Sequence, residues 1–165
     1  HGGILMPGMQ PFLVTALAWV ILGTRPPRQR VLALLPIALG GSWYDKAASE
    51  AESLGIYDQI VRKDAADALE IATEVCAGGE FDLVISCVSA PRAEMAAIMC
   101  CRQGGTVYFF SMATSFTAAA LGAEGISRDV DMLIGNGYCI GHAGETLELL
   151  GSHAPLRELF IRRYS

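Results

Sequence analysis

The chain has 165 residues, enough for a single domain with a real core. Its composition is 52% hydrophobic and 18% charged, which excludes a disordered chain, and its formal net charge of −5 argues against a nucleic-acid partner, since phosphate binding needs a concentrated basic face. Five cysteines at no framework spacing (Cys76, Cys87, Cys100, Cys101, Cys139) read as reduced thiols of a cytoplasmic protein, not as a disulfide scaffold.

The average conceals a break near residue 41. All 17 acidic residues fall after it, while the residues before it carry Arg25, Arg28 and Arg30 and five of the seven prolines. Residues 1–41 therefore form an atypical Pro- and Arg-containing apolar segment, either the first part of a sheet or mistranslated or misassigned sequence. Its apolar run FLVTALAWVIL is 11 residues long, too short to span a bilayer. The arginines follow that run, whereas a signal peptide places positive charge ahead of it. No membrane role is expected. The chain starts with His, which reads as a piece of a longer product.

From residue 31 onward short apolar runs alternate with helical patterns. RVLALL predicts a strand closed by Pro36. YDKAASEAESLG predicts a helix with Ala47, Ala48, Ala51 and Leu54 on one face and Gly55 as its stop. YDQIV predicts a short strand. Asp64, with Asp67 three residues on, predicts a capped helix burying Leu69, Ala72, Val75 and Cys76, ended by Gly78 and Gly79. FDLVISCV is a continuous apolar run of the kind covered on both faces of a sheet. Pro91 predicts the first turn of a helix through AEMAAIMCC, and Gly104 and Gly105 a turn into the strand TVYFF. DMLIG predicts one more strand, and ETLELLG and LRELFIRRY two amphipathic helices.

Strands alternating with helices of about ten residues indicate βαβ units and a parallel sheet. The fold class expected is α/β, a doubly wound, Rossmann-like parallel sheet, incomplete in this chain. Ligands of such sheets bind outside the carboxyl ends of the strands. Three ends are rich in small or hydroxyl residues: SCVSAP (residues 86–91), SMATSF (residues 111–116) and GNGY (residues 135–138). Small residues let a flat ligand approach the backbone, although ordinary strand-to-helix turns also favour Ser, Gly, Asn and Pro. Neither a G-x-G-x-x-G after an early strand nor a P-loop is present, so the pyrophosphate half of a dinucleotide site is not recognisable.

Other constellations are weaker. Cys139-x-x-His142 has half a zinc spacing with no second pair, and no metal site is expected. Cys100-Cys101 reads as core. Asp129 and Asp131 form either a carboxylate pair or, as exposed charge clusters usually do, a solvated turn beside Arg128. His142 suits acid-base work or the start of a helix. No catalytic acid, base or nucleophile can be assigned from spacing.

GGTVYFFSMATSFTAAALGAEGISRDVDMLIGNGY, residues 104–138, closely resembles the L-erythro-3,5-diaminohexanoate dehydrogenase family of lysine fermentation, most specifically in VYFFSMATSF and MLIGNGY. FDLVISCVSAPRAEMAAI before it and HAGETLELLGSHAPLRELFIRRY after it resemble the same family, so the resemblance covers about residues 42–165. It implies the C-terminal part of a dinucleotide-binding domain related to medium-chain dehydrogenase/reductases, with NAD or NADP as cofactor. The implied reaction is oxidative deamination of L-erythro-3,5-diaminohexanoate to 5-amino-3-oxohexanoate, with a small-molecule amino acid as partner and a homo-oligomer as the full enzyme. It also lays the last three strand ends along the nicotinamide, which makes Cys87, Val88, Ser111, Met112, Ala113, Gly135 and Asn136 the expected cofactor neighbours. Two departures stand out: nothing corresponds to the family's substrate domain, and residues 1–41 lack its glycine-rich phosphate loop. The alternatives are an inactive fragment with the fold only, and a methyltransferase-like α/β domain suggested by FDLVISCV.

Overall fold

The computed structural model describes residues 31–34, 42–55, 57–87, 91–110, 114–135 and 140–164. Four strands form one parallel sheet: β1 (Val31–Leu34), β2 (Phe81–Ser86), β3 (Cys101–Phe109) and β4 (Val130–Ile134). They lie side by side in chain order, joined in parallel throughout. Between and after them run α1 (Ser42–Leu54), α2 (Ala68–Val75), α3 (Glu94–Cys100), α4 (Phe116–Gly125), α5 (His142–Ser152) and α6 (Ala154–Tyr164). This is the helix-flanked parallel sheet that the sequence predicts, Rossmann-like and incomplete. Among the described residues no helix is long and apolar enough to cross a membrane.

Right-handed crossovers between strands added in chain order put their helices on one face. Accordingly α2, α3 and α4 share a core with one face of the sheet. Ile71, Val75, Ala96, Ala97, Ile98, Cys100, Ala119 and Ala123 meet Val84, Val107 and Phe109 there. The middle of that core is fully dehydrated, with Val84, Val107, Ala96, Ala97, Ile98, Cys100 and Cys101 at 0% exposure. A second, smaller cluster joins Leu54 of α1 to Leu156 and Leu159 of α6.

Several local expectations are corrected. Residues 57–61 form no strand. A strand exists only by pairing, and here Tyr57 packs on the second cluster while Val61 packs on the main core, so the segment runs as a tether between them. Asp64 does not cap α2: its Oδ1 accepts from the Ala66 N–H at 2.9 Å, and its carbonyl accepts from the Asp67 N–H at 3.0 Å, closing a turn before the helix. Asp67 takes the N-cap position without a side-chain bond. The buried stripe of α2 is Ile71 and Val75, flanked by Ala68, Ala72 and Cys76, and Leu69 is 71% exposed. Pro91 lies in the turn ahead of α3, not in its first turn, and the next residue, Arg92, adopts a left-handed φ of 70°.

The largest correction concerns Gly104 and Gly105. The helix α3 passes into β3 with no intervening loop, since Cys100 ends one and Cys101 begins the other. Register then slips: Phe81 pairs with Cys101 but Leu83 with Thr106, so Asp82 alone stands opposite residues 102–105. The glycine pair is therefore part of a bulge inside the strand. Gly104, at φ +67°, donates its N–H to the Asp129 carbonyl at 2.7 Å, and the Gln103 Oε1 accepts from the Asp129 N–H at 3.2 Å. Thus the bulge is stitched to the residue before β4. Gly105 has no room for a side chain: a Cβ there would lie 2.6 Å from Cys101 Sγ and 2.9 Å from the Arg102 carbonyl oxygen.

Candidate functional site at the strand ends

The pairing register brings the carboxyl ends of three strands level. Ser86, Phe109 and Ile134 are cross-strand partners. The ladder continues one residue further, because the Phe110 N–H donates to the Ser86 carbonyl at 2.9 Å and the Gly135 N–H to the Phe109 carbonyl at 3.0 Å. Cys87, Phe110 and Gly135 consequently follow these ends as one rim. Two of the expected cofactor neighbours, Cys87 and Gly135, are brought together here. The other five, Val88, Ser111, Met112, Ala113 and Asn136, lie outside the described residues.

Each member of the rim is held from below. Cys87 is 5% exposed, and burial pushes its thiol up to about 12. It keeps its proton at neutral pH, which argues against a nucleophilic role. Phe110 stacks on Tyr108 with ring centroids 6.0 Å apart and an interplanar angle of 25°. Gly135 lies under the Tyr108 hydroxyl, where a Cβ would overlap the phenol oxygen. A large side chain cannot stand at that position without displacing the tyrosine.

Behind the rim, Ser115 begins α4. Its hydroxyl accepts from the Ala118 N–H at 3.3 Å, a side-chain N-cap. Its own N–H donates to Glu94 Oε1 at 2.6 Å. Glu94, in the first turn of α3, is only 4% exposed. Reading the sequence for site residues passes over it. The available signal is that it is the only charged residue in AEMAAIMCC, a stretch apolar nearly all round.

The other candidates resolve into structural roles. Cys100 and Cys101 are wholly buried core, and burial drives both thiols upward. Arg128 pairs with Glu80 at 2.7 Å, and both backbone neighbours of Asp129 belong to the β3 bulge, so this corner braces the opposite end of the sheet. His142 opens α5, and Cys139 lies outside the described residues. Among the described residues no three His, Cys, Asp or Glu side chains are grouped to hold a metal ion.

Chemically, the described rim is small, uncharged and backed by aromatic rings. That suits a flat ring lying against the backbone, with the Cys87 thiol and the Tyr108 hydroxyl as the side-chain polar groups beside it.

No family model matches the chain. It is 46% identical over 123 residues to the L-erythro-3,5-diaminohexanoate dehydrogenase of Acetoanaerobium sticklandii, covering 73% of this chain and 36% of that protein. The enzyme of the same name from Fusobacterium nucleatum is 47% identical over 98 residues, covering 59% of this chain and 28% of that protein. The chain thus spans about a third of the length of these curated relatives. Over the residues it shares with them, the chain belongs to the L-erythro-3,5-diaminohexanoate dehydrogenase family.

Proposed function

We propose that this chain carries the nicotinamide side of the coenzyme site in an NAD- or NADP-dependent dehydrogenase. The reaction is oxidation of the 3-amino group of L-erythro-3,5-diaminohexanoate to a ketone: C3 gives up a hydride, water supplies the carbonyl oxygen, and ammonia leaves. The observation that supports this reading is the identity of nearly half of the shared residues to two enzymes of that name.

The residues present fit a nicotinamide. Cys87, Phe110 and Gly135 make a level, uncharged rim against which a flat ring can lie. Bound coenzyme would supply the hydride acceptor. This chain's part is to seat and orient it, through Cys87, Val88, Ser111, Met112, Ala113, Gly135 and Asn136, and to exclude water beneath it with Tyr108 and Phe109. The free thiols suit a reducing, cytoplasmic setting.

Titration of the purified chain with NADH and NADPH, followed by coenzyme fluorescence and by quenching of tryptophan, tests the reading. Saturable binding that the oxidised coenzyme reverses is expected. Its absence up to millimolar coenzyme, or a preference for S-adenosylmethionine, overturns it. No charged side chain stands among the described rim residues Cys87, Phe110 and Gly135, which favours a second reading of the same site: a fold that seats coenzyme without turnover. Binding without substrate-dependent formation of reduced coenzyme and ammonia is its signature.

A further inference from the structure

Glu94 is a carboxyl side chain at 4% exposure in a helix otherwise made of Met, Ala, Ile and Cys. Burial of such a group is unfavourable unless its polar atoms are engaged, so a site needing only volume would be filled by an apolar residue. Its Oε1 accepts the main-chain N–H of Ser115 at 2.6 Å, and among the described residues it enters no ion pair. The residue it grips is a junction. Ser115 caps α4 with its hydroxyl, and its carbonyl accepts from the Ala119 N–H at 2.9 Å. The next residue of α3, Met95, presses so closely on Gly122 of α4 that a Cβ there would overlap the sulfur. The start of α3, which follows the end of β2, is therefore locked to the start of α4, which follows the end of β3.

We propose that Glu94 is a positioning residue for dinucleotide binding, resting on the coenzyme reading above. It fixes where α4 begins beyond the end of β3, without touching the ligand. A Gln preserves an acceptor oxygen at the same reach. An Asp keeps the carboxyl group and most of the volume but falls one methylene short of Ser115.

The test compares Glu94→Asp, Glu94→Gln and Glu94→Ala in the purified chain. Two quantities are read: amide exchange of Ser115 by NMR, and the Kd for NADH or NADPH. Expected for E94D and E94A are Ser115 exchange faster and coenzyme Kd weaker, each by about fivefold or more, the worth of one hydrogen bond. E94Q should stay within about threefold of the unaltered chain in both, as the acceptor is retained. Should E94A fail to fold, E94D against E94Q carries the comparison. Unchanged Ser115 exchange in E94D overturns the proposal, as does faster exchange with unchanged affinity, which would make the contact merely structural. Failure of the unaltered chain to bind either coenzyme overturns the coenzyme reading itself, and this role with it.

Discussion

The Tyr108 phenol oxygen occupies the space that a side chain on Gly135 would need. Both residues lie on the sheet face opposite the main core, Tyr108 in β3 and Gly135 one residue past β4. The absence of a Cβ just past one strand is thus what leaves room for an aromatic side chain on the neighbouring strand.

Gly135→Ala should therefore destabilise the chain by about 1–3 kcal/mol, the range for forcing extra volume into a packed position. A double-mutant cycle isolates the cause. In a Tyr108→Ala background the Gly135→Ala cost should shrink by more than half, as expected for residues in direct contact. Urea unfolding of the four proteins measures it; equal costs in both backgrounds would show that the tyrosine is not the obstacle.

The β3 bulge yields a contrast between two adjacent features. At Gly105 a Cβ would meet Cys101 Sγ at 2.6 Å, the Arg102 carbonyl oxygen at 2.9 Å and the Asp82 carbonyl oxygen at 3.0 Å. Two of the three are backbone atoms, which cannot swing aside. Beside it the Arg102–Asp82 pair is close, at 2.6 Å, but the arginine side chain is 47% exposed. Gly105→Ala should cost about 1–3 kcal/mol by overpacking, whereas Arg102→Ala should cost about 1 kcal/mol or less, as exposed ion pairs do. Chemical denaturation ranks the two, and a larger loss in R102A would contradict this account.

Buried thiols tie stability to alkaline pH. The Cys87 thiol is pushed up to about 12 by burial, from an ordinary value of 9.0. Above the ordinary value the unfolded chain releases this proton while the folded chain keeps it, so the folded state loses ground as pH rises. The contribution is whole below about pH 9 and declines up to about pH 12, by about 1.4 kcal/mol per pH unit where the two states differ by a full proton. Cys100 and Cys101 are shifted in the same direction by the same cause. Cys87→Ala should flatten the fall of the urea midpoint between pH 9 and 11 relative to the unaltered chain. An identical slope in the variant would refute the assignment to Cys87.

The strands and long helices were legible because burial writes itself into local pattern. The LVI of FDLVIS is an apolar run since the end of the strand is buried, and Gly55, at φ +63°, stops α1 where its spacing indicates. What escaped was decided by partners distant in the chain. A Gly-Gly pair serves a turn or a bulge equally well, and the Asp129 carbonyl that selects the bulge lies in another segment. Residues 57–61 have strand-like composition, but the place beside β2 is taken by β1. Within the site, small residues at the strand ends marked the rim, while Glu94 was hidden because its partner is a main-chain N–H, which no side-chain pattern reveals.

The two hydrophobic clusters lead to a prediction about cooperativity. Leu159 of α6 is at 0% exposure, packed with Leu54 of α1 and Leu156. None of the three belongs to the core that joins α2, α3 and α4 to the sheet. Truncating a buried leucine removes its transfer free energy and leaves a cavity, so Leu159→Ala should cost about 2–5 kcal/mol within its own cluster. Because stability is distributed in local units, that loss should appear first as faster amide exchange in α1 and α6, with β2, β3 and α3 still protected. Val107→Ala, placed in the centre of the sheet core, should instead accelerate exchange in α2, α3 and α4. Hydrogen exchange read by mass spectrometry separates the two patterns. Uniform loss of protection in both variants would show that the clusters unfold as one unit, and that α6 is as integral to the rim's support as the strands are.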